Sequence, residues 1–297
     1  MSEPRLVRER LWHIPVRRWP ALARDVVAEA GRDRVTTVAA SLAFHAFLAL
    51  LPVVLATVGL LNLVGLSASA LHSLVHATST LLPSQMSSVL NQQLLRPPGR
   101  RVNLAEVVAG LVVALWSSIE AMSALQVALD LAYEVPGDRR FLGRRLAALP
   151  LIGVTILLGG SASALLVLGG PIGRLVPGGL RPLLSVLRYA GSLVLLSLLL
   201  SAFYSFAPAR DRLRFEWVSP GSAVAAVGWV LSSLGFSFYL DHFGRESRTY
   251  GALAGVAVTL LWLFLTAVVV LLGAELNREL ERVSPDANAP RQPALSR

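Results

Sequence analysis

The chain has 297 residues, of which 54% are hydrophobic and 15% charged, and its formal net charge is +9. A soluble domain carries about a quarter of its residues as Asp, Glu, Lys or Arg, so this composition excludes a water-soluble enzyme of ordinary surface. All 27 cationic residues are arginines placed in short segments between apolar runs, which points to membrane topology and away from a nucleic-acid partner. Cysteine is absent, which excludes structural disulfides, thiolate metal sites and a cysteine nucleophile.

The N-terminal 34 residues hold Arg5, Arg8, Arg10, Arg17, Arg18, Arg24, Arg32 and Arg34 and contain no apolar run of signal-peptide length, so no cleavable leader is expected. Trp19, Leu22 and Val26 recur at helical spacing. This predicts an interfacial amphipathic helix over 19–33 with a cationic face toward an anionic leaflet. A disordered basic tail fits residues 1–15 equally well.

The first span is predicted at 35–65, uncharged and interrupted by Pro52. At 1.5 Å per residue it makes ~46 Å of helix against a hydrocarbon core of ~30 Å, so it must tilt, kink or emerge. Residues 67–95 turn Ser-, His- and Gln-rich, and a break follows at Arg96, Pro97, Pro98, Gly99, Arg100 and Arg101. The second span follows at 104–131, with a basic turn from Pro136 to Arg145. A third span at 146–168 leads into a Gly/Pro hairpin, and the remaining three fall at 183–206, 217–240 and 250–274. The expected fold is therefore all-α, a polytopic membrane helical bundle with six transmembrane helices. It is organised as a basic segment 1–34, a membrane domain 35–277 and a polar tail 278–297.

Alternate connectors differ in arginine content, with 19 on the side of the termini and 7 on the other, and Arg188 lying inside the fourth span. By the positive-inside rule both termini face the cytoplasm of a bacterial plasma membrane. Small residues mark faces for close helix approach: Gly251 and Gly255 form GxxxG at the head of the sixth span, and Gly228, Ser232 and Gly235 line the fifth. Three and three spans would permit an inverted repeat, but the halves show no convincing similarity to each other.

An ionisable residue within a span costs ~2.5–3.5 kcal/mol on insertion scales and calls for a partner, water or a function. Glu120 is the clearest such residue, with Ser117 and Ser123 three positions on either side and Trp116 one turn before. His45 in the first span lies at a similar depth, so His45 and Glu120 are expected either to border a polar cavity with Ser117 and Ser123, or each to bond to its own neighbours. Asp130 and Arg188 fall near span ends, where either can reach water. Asp241, His242, Arg245, Glu246 and Arg248 form the densest polar cluster outside the core, read as solvated loop with a ligand or partner site as the alternative. His72 and His76 are four apart but have no nearby carboxylate in sequence, so a polar helix face is expected there, not a metal site. No Walker A, HExxH or GxSxG pattern is present, and neither an enzyme nor a cofactor is expected.

Several stretches together resemble the YihY/BrkB family of bacterial inner-membrane proteins, which also carries a legacy ribonuclease BN label. They are Ala39 to Pro52, Leu115 to Val135, Phe206 to Pro208 with Ser219, Pro220 and Gly221, and above all Tyr239 to Asn277 with its YG, LLW and LLGAELN elements. The resemblance spans roughly residues 20–282. It implies a six-helix fold with cytoplasmic termini and a role in envelope integrity. Position 45, commonly aromatic in the family, is His45 here.

Three functions follow as expectations. The first is transport of a lipid, an amphipathic solute or an ion; the second is a scaffold that binds envelope lipids or partners without moving anything. The third is the ribonuclease of the legacy label, which scattered acids on opposite sides of a membrane do not favour. The expected partners are membrane lipids, with an anionic leaflet facing the N-terminal arginines, and a second copy of the chain is compatible with this reading.

Overall fold

The structure, a computed structural model, describes residues 19–63, 104–135, 140–175, 177–210, 218–243 and 251–283. These residues form α1 (Trp19–Arg32), α2 (Val35–Leu63), α3 (Leu104–Ala132), α4 (Phe141–Val154), α5 (Gly160–Leu175), α6 (Arg181–Phe206), α7 (Pro220–Phe243) and α8 (Gly251–Val283). One π-helical turn, Thr155–Gly159, joins α4 to α5, and a short 3₁₀ turn, Gly178–Leu180, precedes α6. No strand occurs among the described residues.

Among the described residues six helices are long and apolar enough to cross a membrane: α2, α3, the α4–α5 rod, α6, α7 and α8. Backbone polar groups in hydrocarbon have no water to bond, so each run satisfies them within a helix. The outer surface fits lipid, since large apolar side chains such as Ile156, Leu231 and Phe238 are exposed. The chain is a multi-pass helical membrane bundle.

α2 packs along α3, and α8 is the hub, touching α7, α2, α1 and α3. α4 leans on α3, whereas α5 leans on α6. The core lies where these meet: Ala39 of α2, Leu129 and Ala132 of α3, Ala148 of α4 and Leu271 and Ala274 of α8 are almost wholly buried. Small residues let the helices approach without a hydrophobic drive in lipid.

The tightest crossing joins α7 to α8 at Gly221 and Gly273. A Cβ on Gly221 would overlap the Gly273 carbonyl, and one on Gly273 would sit 2.6 Å from Ala225 Cβ. Asn277 fastens the same place, accepting from the Gly221 amide at 2.8 Å and donating to Ser219 Oγ at 2.8 Å. Tyr204 of α6 donates to the Val270 carbonyl at 2.7 Å. Gly251 opens α8, and Gly255 is buried with its carbonyl accepting from Thr259. Gly228 is close to Val269, while Gly235 has open space beside it.

α1 is amphipathic, and its Leu22 and Val26 pack against Leu276 and Leu280 of α8. Arg34 turns the chain from α1 into α2 at φ 50°. Glu134, at φ 46°, ends α3 with Val135 donating to the Asp130 carbonyl. That left-handed residue closes a Schellman-type end and turns the chain out of the helix.

Candidate functional site: a polar groove between three helices

Among the described residues two polar centres gather arginines with carboxylates, one around the starts of α2 and α4 and the other around the ends of α1, α3 and α8. One is an open groove and the other a buried cluster.

The groove lies between α2, α3 and α4 and has a volume of about 440 Å³. Thr37, Ser41 and His45 succeed one another at single-turn spacing on α2 and give it a polar stripe. Glu120, Ser123 and Val127 face them from α3, and Phe141, Arg144 and Arg145 close it from α4. Eight residues from Thr37 to His45 make ~12 Å of helix, so the polar stripe runs about two turns down the bundle. Thr37, Ser41, Val127 and Phe141 are exposed; the groove therefore opens sideways on the bundle's outer face, not into a sealed interior.

Arg145 pairs with Glu120. Its guanidinium also stacks at 4.1 Å from the centre of the Phe141 ring and 4.6 Å from that of Trp116. A planar, weakly hydrated cation suits such aromatic contact at an apolar surface. His45 Nδ1 donates to the Ser41 carbonyl at 2.8 Å. That bond fixes the tautomer and leaves Nε2 as an acceptor whenever the ring is neutral. Ser123 Oγ is buried without a hydrogen-bond partner.

The structure thus brings His45, Glu120 and Ser123 to one groove, while Ser117 is not among its lining residues. The counter-ion of Glu120 is Arg145, from the connector that sequence reading treated as a basic turn. α4 starts at Phe141, so Arg144 and Arg145 ride on its first turns. Gln126 was also missed. Fully buried, it bridges the Arg144 carbonyl and the Ala148 amide at 3.2 Å each when its side-chain amide is oriented to suit both. The one available signal was that Glu120 in a span calls for a partner, water or a function, and Arg145 is the partner it meets.

Asp130 pairs with Arg144 at 3.5 Å and accepts from the Ala209 amide at 2.7 Å, tying α3 to α4 and to the end of α6. Arg188 donates to Tyr189 at 2.6 Å and stacks on its ring. Asp241 and His242 end α7, and Arg245, Glu246 and Arg248 lie outside the described residues, as do His72 and His76.

The buried cluster centres on Arg278 of α8, which is 5% exposed. It pairs with Glu134 and lies 3.2 Å from Glu29, 3.6 Å from Asp33 and 3.4 Å from Glu275. Burial opposes ionisation of Glu29, but the Arg278 and Arg32 guanidiniums outweigh it and hold the carboxyl below its ordinary range. Beside the cluster Arg210 stacks 3.5 Å over Tyr133 and makes a two-pronged pair with Glu281 at 3.0 and 3.1 Å. Burial pushes the Tyr133 phenol well up. These contacts staple α1, α3 and α8 together at one end.

The virulence factor BrkB family model matches residues 26–296. The chain is 35% identical over 187 residues to the ribonuclease-like protein YfkH of Bacillus subtilis (strain 168), covering 60% of this chain and 68% of that protein. It is 26% identical over 277 residues to a UPF0761 membrane protein of Ralstonia nicotianae, covering 91% of this chain and 60% of the relative. A UPF0761 membrane protein of Nitrosospira multiformis is 27% identical over 252 residues, covering 82% and 57%. The chain thus spans about three-fifths of the length of these two UPF0761 relatives. No solved structure matches it.

Proposed function

We propose, from the premise that this chain belongs to the virulence factor BrkB family of membrane proteins, that it moves an amphipathic molecule along the groove between α2, α3 and α4. The observation that carries the reading is the groove's geometry. A polar stripe from Thr37 to Glu120 runs beside apolar walls and opens sideways, so a polar head can travel along the stripe while its apolar tail stays in the bilayer. Keeping charge in a low-dielectric span is costly without a function or partner, and a groove that presents its ion pair to lipid is suited to exchanging that pair with a ligand. A role in envelope integrity accords with this activity.

The arginine asymmetry of 19 to 7 supports a bacterial inner membrane with the arginine-rich end and both termini in the cytoplasm. The ribonuclease-like name is that of the Bacillus protein. In this chain Glu120, Asp130, Glu29 and Glu134 are engaged by arginines, an arrangement at odds with ligating a catalytic metal ion. We take the chain to be a non-enzymatic membrane protein.

The test is reconstitution. Purified protein in vesicles that hold fluorescent phospholipid analogues on one leaflet is expected to speed their transbilayer exchange over protein-free vesicles. Exchange no faster than in empty vesicles, together with no flux of ions or amphipathic dyes, would favour the scaffold reading.

A further inference from the structure

The charges of the groove lie side by side. Arg145 stands on the first turns of α4, stacked on the Phe141 and Trp116 rings and paired with Glu120. Beside it are three oxygen or nitrogen acceptors: the Glu120 carboxylate, Ser123 Oγ with no partner, and His45 Nε2, freed for the groove because Nδ1 is spent on the Ser41 carbonyl. A cation beside a set of acceptors complements a ligand that carries an anion followed by a hydrogen-bonding cation.

We infer that the groove binds a phospholipid headgroup bearing a phosphate and a primary ammonium, with the phosphate on Arg145 and the ammonium among Glu120, His45 and Ser123. The inference rests on the groove being the site of the proposed transport and adds the chemistry of what it selects.

Charge balance favours this ligand over its alternatives. An anionic headgroup would pair with Arg145 but leave Glu120 as an uncompensated carboxylate in a span, which is unfavourable. A zwitterion replaces the Arg145–Glu120 pair by two new pairs, so every charge stays matched while the protein pair opens. A primary ammonium brings three N–H donors, and three acceptors await it. A quaternary ammonium brings none and would leave Ser123 Oγ as it is, unsatisfied. The exposed rim, with Phe141 72% and Val127 45% accessible, lets the acyl chains stay outside in lipid.

Binding of short-chain lipids to the full-length protein in detergent tests this, with calorimetry reading affinity for phosphatidylethanolamine, phosphatidylcholine and phosphatidylglycerol. The wild type is expected to prefer the ethanolamine lipid by roughly 10-fold or more, the scale of hydrogen bonds to a charged group. Glu120→Gln is expected to erase that preference without weakening phosphatidylglycerol, and Arg145→Gln to weaken all three lipids. Where either single variant fails to fold, the double variant Glu120→Arg with Arg145→Glu keeps an ion pair in reverse order and is expected to lose the ethanolamine preference. Equal affinity of the wild type for the ethanolamine and choline lipids, or a preference that survives Glu120→Gln or the reversed pair, would overturn the inference. Lipid exchange that is fast but indifferent to headgroup removes this inference and leaves transport standing, whereas selective binding without exchange removes transport and leaves the headgroup site.

Discussion

Arg278 donates to Glu29 across 3.2 Å, joining the end of α8 to a residue 249 positions earlier in α1. Because Arg278 is also the counter-charge for Asp33, Glu134 and Glu275, its loss would leave several buried carboxylates facing one another. Breaking a buried pair by removing one partner costs about 3–5 kcal/mol. Arg278→Gln is expected to lower the melting temperature of the detergent-solubilised protein by roughly 10 °C. Arg278→Lys should fall between the two, since an ammonium keeps the charge but not the planar fork. A melting temperature unchanged in Arg278→Gln would show that the cluster contributes nothing to stability.

Glu29 also sets a pH dependence. Its carboxyl is held below the ordinary 4.5 by the neighbouring guanidiniums despite burial. A depressed folded-state value means the stabilisation is complete above the unfolded carboxyl's range and is lost as pH falls through the folded value. Wild type should therefore melt above Glu29→Gln at neutral pH, and the gap should close only on acidification below about 4.5. A gap that widens on acidification would contradict the assignment.

The α7–α8 crossing makes a contrast between glycines. Gly221→Ala and Gly273→Ala place a methyl group against backbone and neighbouring side chains, and overpacking of this kind costs about 1–3 kcal/mol. Gly235→Ala meets open space and should stay within about 0.5 kcal/mol of wild type. Thermal unfolding of the three purified variants reads the difference directly.

Orientation is accessible because the chain has no cysteine, so single cysteines report position without background. Ala28→Cys in α1 and Leu180→Cys before α6 both replace exposed residues. A membrane-impermeant maleimide should label Leu180→Cys in spheroplasts with an intact inner membrane, and Ala28→Cys only after that membrane is opened. The reverse pattern would place the arginine-rich end outside the cell.

The spans were legible because lipid leaves only one signal that matters, a run of apolar residues long enough to cross it, and runs such as Gly255–Arg282 carry it strongly. The partner of Glu120 was not legible. On a helix apolar all round, as α3 is, no periodic stripe marks the face that meets a neighbour, so depth counting placed His45 near Glu120 but gave no sign of Arg145. Arg144 and Arg145 read as connector because charge normally ends a span; here α4 begins before them and their long side chains reach inward along it. Arg278 was assigned to a polar tail for the same reason, although α8 continues to Val283 and buries it. In α1, Leu22 and Val26 gave the correct helix, but amphipathicity alone does not distinguish a leaflet from the Leu276 and Leu280 surface that they cover.

The π turn at Thr155–Gly159 shifts the angular phase of the third span midway along its length. Its first half is set against α3, carrying Arg145 to Glu120, and its second half against α6, where Gly169 receives the Arg188 side chain. An uninterrupted rod has a single angular setting, and each residue removed from the turn rotates one half against the other by about 100°. The widened turn therefore decouples two helix–helix contracts that one regular helix could not honour together, and the salt link at the groove owes its alignment to an irregularity in the hydrocarbon, two to three turns away.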